Sequence, residues 1–319
     1  MHAAAIKYAL KRGALVTGAN WEVVVIQFVA ESTFKALLMV PVVGAAFLLA
    51  LLVGGSVLDL LGGALADALT AAIAALDSHP WALASYLTGL LVIVVGGSVV
   101  MFHVKGGTVD VLVAAEREAR DVDRPPLSMS RLRGAGRFSL ERFLAGADRF
   151  TRRFVRLGLV LLLVYAASGG AYLVAVLSAY RLGGDLAWTI VGSVVAAGAS
   201  AVFGLWLTVV NLAYLLLQVL IVANDWPVRT AARALPGLVR RQRSLIGGIF
   251  LVMLGLIVLA TLASVLATGA LGFIGFVPVV GLAVLPLQLL AWLARGLVFQ
   301  YLGLSALGAY AYVARESDS

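Results

Sequence analysis

From Ser244 to Ala294 the chain reads SLIGGIFLVMLGLIVLATLASVLATGALGFIGFVPVVGLAVLPLQLLAWLA, 51 residues without Asp, Glu, Lys or Arg. A helix needs about 20 mostly apolar residues to cross a hydrocarbon core. This run therefore predicts two crossings, with the turn among Gly269, Gly272, Gly275, Pro278, Gly281 and Pro286. Four more uncharged runs follow on reading outward: Ala36–Leu58, Ser78–Val104, Leu157–Tyr180 and Leu186–Asn224. Together they predict six spans, near 36–58, 81–103, 157–179, 196–221, 247–268 and 286–310. In lipid every backbone polar group must be paired internally, so spans are helices or closed barrels. A barrel would need short alternating segments, and these runs do not alternate. The predicted fold class is all-α, a polytopic transmembrane helix bundle of about six spans. Counting 296–314 as a seventh span would put the C-terminus on the other side, and 186–224 is longer than one crossing needs.

Composition agrees. The chain has 62% hydrophobic and 13% charged residues, against roughly 25% charged in soluble domains. The formal charge of +8 suits anionic headgroups better than nucleic acid, because basic residues of membrane proteins collect on the cytoplasmic side. No cysteine is present, which excludes disulfides, thiol nucleophiles and thiolate metal sites. The first 35 residues lack the short apolar region and small-residue cleavage site of a signal peptide.

Of the 24 basic residues, 22 fall on one side of a six-span layout: before span 1, in 105–156, in 225–243 and at Arg315. The opposite side carries Arg181 with Asp59, Asp67, Asp77 and Asp185. The positive-inside rule then places both termini in the cytoplasm, and the expected location is a bacterial inner membrane. The chain reads as one membrane domain, 1–319. It has an interfacial N-terminal segment 1–35, a basic cytoplasmic loop 105–156 with an amphipathic helix, and a second basic loop 225–243.

The connections suggest a recurring plan. Ser139 can cap a helix whose apolar face is Leu140, Phe143, Ala147, Phe150 and Phe154 and whose basic side holds Arg142, Arg149, Arg152, Arg153 and Arg156. Pro227 suits a first helical turn, followed by Val228, Ala231, Ala232 and Leu235, with Pro236–Gly237 as a break before Arg240, Arg241 and Arg243. Val24, Phe28 and Phe34 flank Glu31 and Lys35 in a similar layout. Three hairpin units, each preceded by a short amphipathic interfacial helix, form a pseudo-repeat. Residues 121–138, with Pro125–Pro126, read as a surface loop. Between spans 1 and 2, Leu61, Leu65, Leu69, Ile73 and Leu76 share a helical face. That helix lies either at the outer surface or over the bundle mouth.

Few residues carry chemistry. Arg295 stands alone between long uncharged runs. From a start at Pro286 it lies about 13 Å into span 6 at 1.5 Å per residue, and an intramembrane charge marks a functional site by default. No acid falls inside the other predicted spans. If span 6 occupies 276–294 instead, Arg295 marks its inner end. Asn211 and Gln218, seven residues apart, share a face; together with Arg295 they are the candidate intramembrane polar site. Arg149, Arg152, Arg153, Arg156, Arg240, Arg241 and Arg243 are candidate contacts for anionic lipid or a protein partner. The two VGGSV strings, 53–57 and 95–99, suit close helix packing. His79 and His103 fall at opposite surfaces, and nothing provides HExxH or GxSxG. No cofactor, metal or nucleic acid is expected.

The segments NDWPVRTAARALPGLVRRQRSLIGGIFLVM at 224–253 and FQYLGLSALGAYAYVARE at 299–316 resemble a broad group of six-span bacterial membrane proteins. Among these is the membrane domain attached to some glycerophosphodiester phosphodiesterases. The resemblance covers the whole chain at the level of pattern. It implies a membrane module and no hydrolase chemistry, since no polar region here could hold the catalytic domain. The leading expectation is a non-enzymatic module that anchors, stabilises or assists a membrane complex, with a protein partner or a second copy. The alternative is a transporter or lipid-handling protein using a cavity near Arg295, and a membrane enzyme ranks third.

Overall fold

The computed structural model describes residues 2–53, 80–119, 122, 129–181, 186–275 and 278–318. The expected helix at 59–77, His79, Pro125–Pro126 and most of the first VGGSV string lie outside them. Every element among the described residues is helical: α1 (His2–Ala19), α2 (Trp21–Val53), α3 (Pro80–Glu118), α4 (Met129–Gly134), α5 (Leu140–Arg181), α6 (Leu186–Ala223), α7 (Val228–Arg241), α8 (Arg243–Gly275) and α9 (Pro278–Asp318). Six of these, α2, α3, α5, α6, α8 and α9, are long and apolar enough to cross a membrane. The chain is an all-α, multi-pass bundle.

The long helices pair as antiparallel hairpins. In α2–α3, Thr108 meets Gln27 while Phe34 meets Gly97. In α5–α6, Tyr165 meets Asn211 and Tyr172 stacks on Phe203. In α8–α9 the Tyr310 hydroxyl approaches the Ile246 carbonyl. A shorter helix precedes each hairpin: α1, α4 and α7.

Helix ends differ from the charge-delimited spans. The stretches at 24–35 and 139–156, expected as separate interfacial helices, are the first turns of α2 and α5. Ser139 does cap α5, its Oγ accepting from the Arg142 amide at 3.2 Å. The apolar face behind it is not interfacial, however. Phe143, Phe150 and Phe154 are buried, and Phe143 closes on the backbone of α3 at Gly107. Burial of a large apolar side chain contributes about 1.5–3 kcal/mol, enough to fix this face inward. At the other end of the expected loop, residues 105–118 continue α3. Pro236–Gly237 does not break its helix: α7 runs through to Arg241, and only Gln242 separates it from α8. Proline removes one helical hydrogen bond, but its φ suits the helix, and neighbouring groups in bundles re-satisfy the freed carbonyl. Pro41 and Pro286 are likewise inside α2 and α9.

Packing divides the bundle into two zones. The buried core lies at the end holding both chain termini, where α1 runs antiparallel to α9 and Tyr8 meets Tyr312 at 5.4 Å between ring centroids. Further along the long helices, side chains such as Leu163, Leu205 and Leu266 are exposed, Leu266 at 73%. Lipid chains are as apolar as leucine, so no hydrophobic force drives the helices together there. Where the helices project beyond that band, water restores the force and a dense core forms.

Candidate functional site

At the junction of the two zones, charged and amide side chains from four helices converge. Helix α2 supplies Gln27, Glu31 and Lys35, which recur every four residues on one face. From α3 come Lys105 and Thr108, from α6 Asn211, Tyr214 and Gln218, and from α9 Arg295 and Gln300. They line two adjoining cavities.

The first cavity, about 490 Å³, is bounded by Phe28, Glu31, Lys35, Thr261, Trp292, Arg295 and Gln300. The second, about 310 Å³, is bounded by Gln27, Glu31, Lys105, Thr108, Asn211, Tyr214, Gln218 and Gln300. Glu31 and Gln300 belong to the wall of both. Two contacts hold that wall. Lys35 Nζ lies 2.6 Å from Glu31 Oε1, and Gln300 Nε2 donates to Glu31 Oε2. Beside it, Thr108 Oγ1 donates to Gln27 Oε1 at 3.1 Å, and Tyr165 OH donates to Asn211 Oδ1 at 2.6 Å.

The charge balance is cationic. One acid, Glu31, faces Lys35, Lys105 and Arg295 across the two cavities: it pairs with Lys35 and acts on Lys105 at longer range, and neither Lys105 nor Arg295 has an ion pair among the described residues. Each instead lies against a ring: Lys105 Nζ is 5.3 Å from the centre of Tyr214, and the Arg295 guanidinium carbon is 5.7 Å from that of Phe299. A cation over a ring gains about 0.5–2 kcal/mol, far less than a carboxylate or phosphate partner would give. Such a chamber can hold an anion.

The three residues of the expected polar site sort as follows. Asn211 and Gln218 line one chamber together, while Arg295 lies in the neighbouring cavity across the Glu31–Gln300 wall. Helix α9 begins at Pro278 and not at Pro286, so Arg295 stands 17 residues from its first residue. Glu31 stands in the same continuous helix, α2, as the uncharged run that begins at Ala36. Glu31 and Lys105 fall outside spans that are cut at every charge, whereas Gln300 is an uncharged amide inside the 286–310 run. The one available signal was the four-residue repeat Gln27–Glu31–Lys35.

The seven candidate lipid-contact arginines separate into two groups. Arg149 and Arg153, one turn apart on α5, clasp Asp225 at 2.9 and 2.5 Å. Hydrogen bonds from both guanidinium groups hold the Asp225 carboxyl below its ordinary range. Asp225 ends α6 in the left-handed region, φ 54°, while the Trp226 amide reaches back to the Ile221 carbonyl at 3.1 Å, a Schellman closure. By contrast Arg152, Arg156, Arg240, Arg241 and Arg243 are exposed and unpaired among the described residues. His103 bonds Thr151 at 2.8 Å. Of the VGGSV strings, Gly97 in the second seats the Phe34 ring, which a Cβ there would meet at 2.3 Å.

No protein-family model, curated protein or solved structure matches this chain.

Proposed function

We propose that this is a non-enzymatic membrane protein that binds an anionic solute or lipid in the polar chamber and moves it or hands it on. The observation that carries this is a cation in each of the two adjoining cavities, Arg295 in one and Lys105 in the other, neither in an ion pair among the described residues. Charges lining a partly apolar cavity are costly unless water, a counter-charge or a ligand compensates them. The charge bias supports an orientation with the basic end in the cytoplasm of a bacterial inner membrane. The test is a melting shift of the detergent-purified protein on adding sn-glycerol 3-phosphate or phosphatidylglycerol. Lys105→Met and Arg295→Gln should each reduce the shift. If neither probe moves the unmodified protein, the proposal fails.

A second reading, a module that anchors or assists a membrane complex, draws support from Arg240, Arg241 and Arg243 at the α7–α8 junction, exposed and unpaired among the described residues. Loss of a co-purifying partner in an Arg240→Gln/Arg241→Gln/Arg243→Gln variant would favour it. An unchanged monomer would count against it.

A further inference from the structure

The polar chamber also has an apolar neighbour. A cavity of about 350 Å³ lies between α6, α8 and α9, walled by Leu212, Phe250, Met253, Leu254, Ile257 and others. It shares Asn211, Leu215 and Gly303 with the chamber that holds Lys105. Asn211 and Gly303 are exposed, so the seam between α6 and α9 opens sideways there. A Cβ added at Gly303 meets nothing within 4 Å.

Depth along the bundle is consistent across this seam. Asn211 lies 25 residues from the start of α6 and Gly303 lies 25 from the start of α9, each about 38 Å along its helix. A hydrocarbon layer is about 30 Å thick, so the seam falls at headgroup level on the basic side. Thr208 and Ile257 also line the apolar cavity, which continues past Asn211 and Met253 along α6 and α8. One side of the seam thus offers a cation in a polar chamber, and the other offers an apolar slot.

We infer that the ligand is an anionic phospholipid of the basic-side leaflet, which slides in sideways between α6 and α9. Its headgroup phosphate lies against Lys105 and its acyl chain occupies the α6–α8–α9 slot, with Gly303 left bare to let the lipid pass. The inference rests on the ligand-binding function proposed above and adds the source of the anion and its route. A free phosphate ester would use the chamber and ignore the slot.

The experiment separates the two. Purified protein is exchanged against phosphatidylglycerol in detergent, and retained lipid is counted by native mass spectrometry. The melting shift with sn-glycerol 3-phosphate is measured in parallel. Leu212→Trp fills the slot from α6 at a residue that lines the slot and not the chamber; Gly255→Leu, in open space on α8, is the control. The expected result is a drop in retained lipid of about tenfold for Leu212→Trp, equivalent to about 1.4 kcal/mol. Gly255→Leu should match the unmodified protein, and the sn-glycerol 3-phosphate shift should survive in both. Should Leu212→Trp not fold, Ile257→Trp fills the same slot from α8. Equal lipid retention in the plugged and control variants overturns the lipid route and leaves the anion chamber standing. Binding of sn-glycerol 3-phosphate without any retained phosphatidylglycerol has the same meaning. If neither probe binds, the proposed function and the lipid route fall together.

Discussion

Arg12 Nε lies 2.7 Å from Glu116 Oε1, and each side chain is only 1% exposed. The Arg12 guanidinium also donates to the Glu116 carbonyl at 3.0 Å, and Arg315 approaches the same carboxylate at 3.4 Å. One acid on α3 therefore ties the first and last helices together. Arg12 and Arg315 both lie over the Tyr312 ring, at 5.8 and 5.6 Å.

Removing one partner of a buried pair leaves an uncompensated charge, at a cost of about 3–5 kcal/mol, whereas replacing both by apolar groups is close to neutral. Arg12→Met and Glu116→Gln should each lower the melting temperature in detergent well below that of Arg12→Met/Glu116→Leu. A double variant no better than either single would show that the pair is not the source of the stability.

Asn20 occupies the turn between α1 and α2 with its side chain fully buried. Its Nδ2 donates to the Val16 and Ala135 carbonyls at 2.8 and 3.3 Å, and its Oδ1 accepts from the Arg137 and Phe138 amides at 2.7 and 3.0 Å. Asn20→Ala strands several of these groups at about 1–3 kcal/mol each. The expected outcome is faster tryptic cleavage at Arg131, Arg133 and Arg137. Unchanged cleavage would mean that other contacts anchor this segment.

Helix α1 meets α9 at Gly13, where an added Cβ would stand 2.4 Å from the Ser305 carbonyl oxygen and 2.6 Å from the Ala309 nitrogen. Overpacking of this kind costs about 1–3 kcal/mol or more. Gly13→Val should lower the melting temperature, while Gly255→Ala, with open space around it, should leave it unchanged or slightly raised. Equal melting of the two would refute the close crossing.

The Asp225 clasp sets a pH dependence. Hydrogen bonds from Arg149 and Arg153 lower its folded pKa from the ordinary 3.8. A lowered folded value adds stability that is complete above the ordinary value and is lost as pH falls through the folded one. Because Asp225 is exposed, the effect is small. Asp225→Asn keeps a residue that tolerates the left-handed backbone and removes the charge. Its melting deficit should be constant from neutral pH down to about 4 and should shrink in stronger acid. A deficit that persists unchanged at low pH would assign the effect to the turn and not to the charge.

Much of the fold was legible from the chain alone. An uncharged run of 51 residues has one economical solution in lipid, and six long helices follow from that and the four other runs. Ser139 as a cap is a local property and could also be read directly. The polar site was only half legible. Arg295, Asn211 and Gln218 stand out by their isolation in apolar sequence, whereas Glu31 reads as part of an amphipathic interfacial segment and Lys105 as the start of a basic loop. Whether a charge is inside a span depends on where the helix starts, and the start of α2 at Trp21 is set by the packing of Asn20 and Val23 in the core.

Hydropathy alone determined the surroundings of this protein, because the cost of bare backbone in hydrocarbon leaves no other conformation for such runs. Tertiary structure alone decided which charges meet. Arg12 and Glu116 are separated by 104 positions, and Gln300 and Glu31 by 269. No periodicity links residues so far apart. Only the antiparallel packing of α1, α2, α3 and α9 brings them within reach, since a hydrogen bond needs its atoms within about 3 Å.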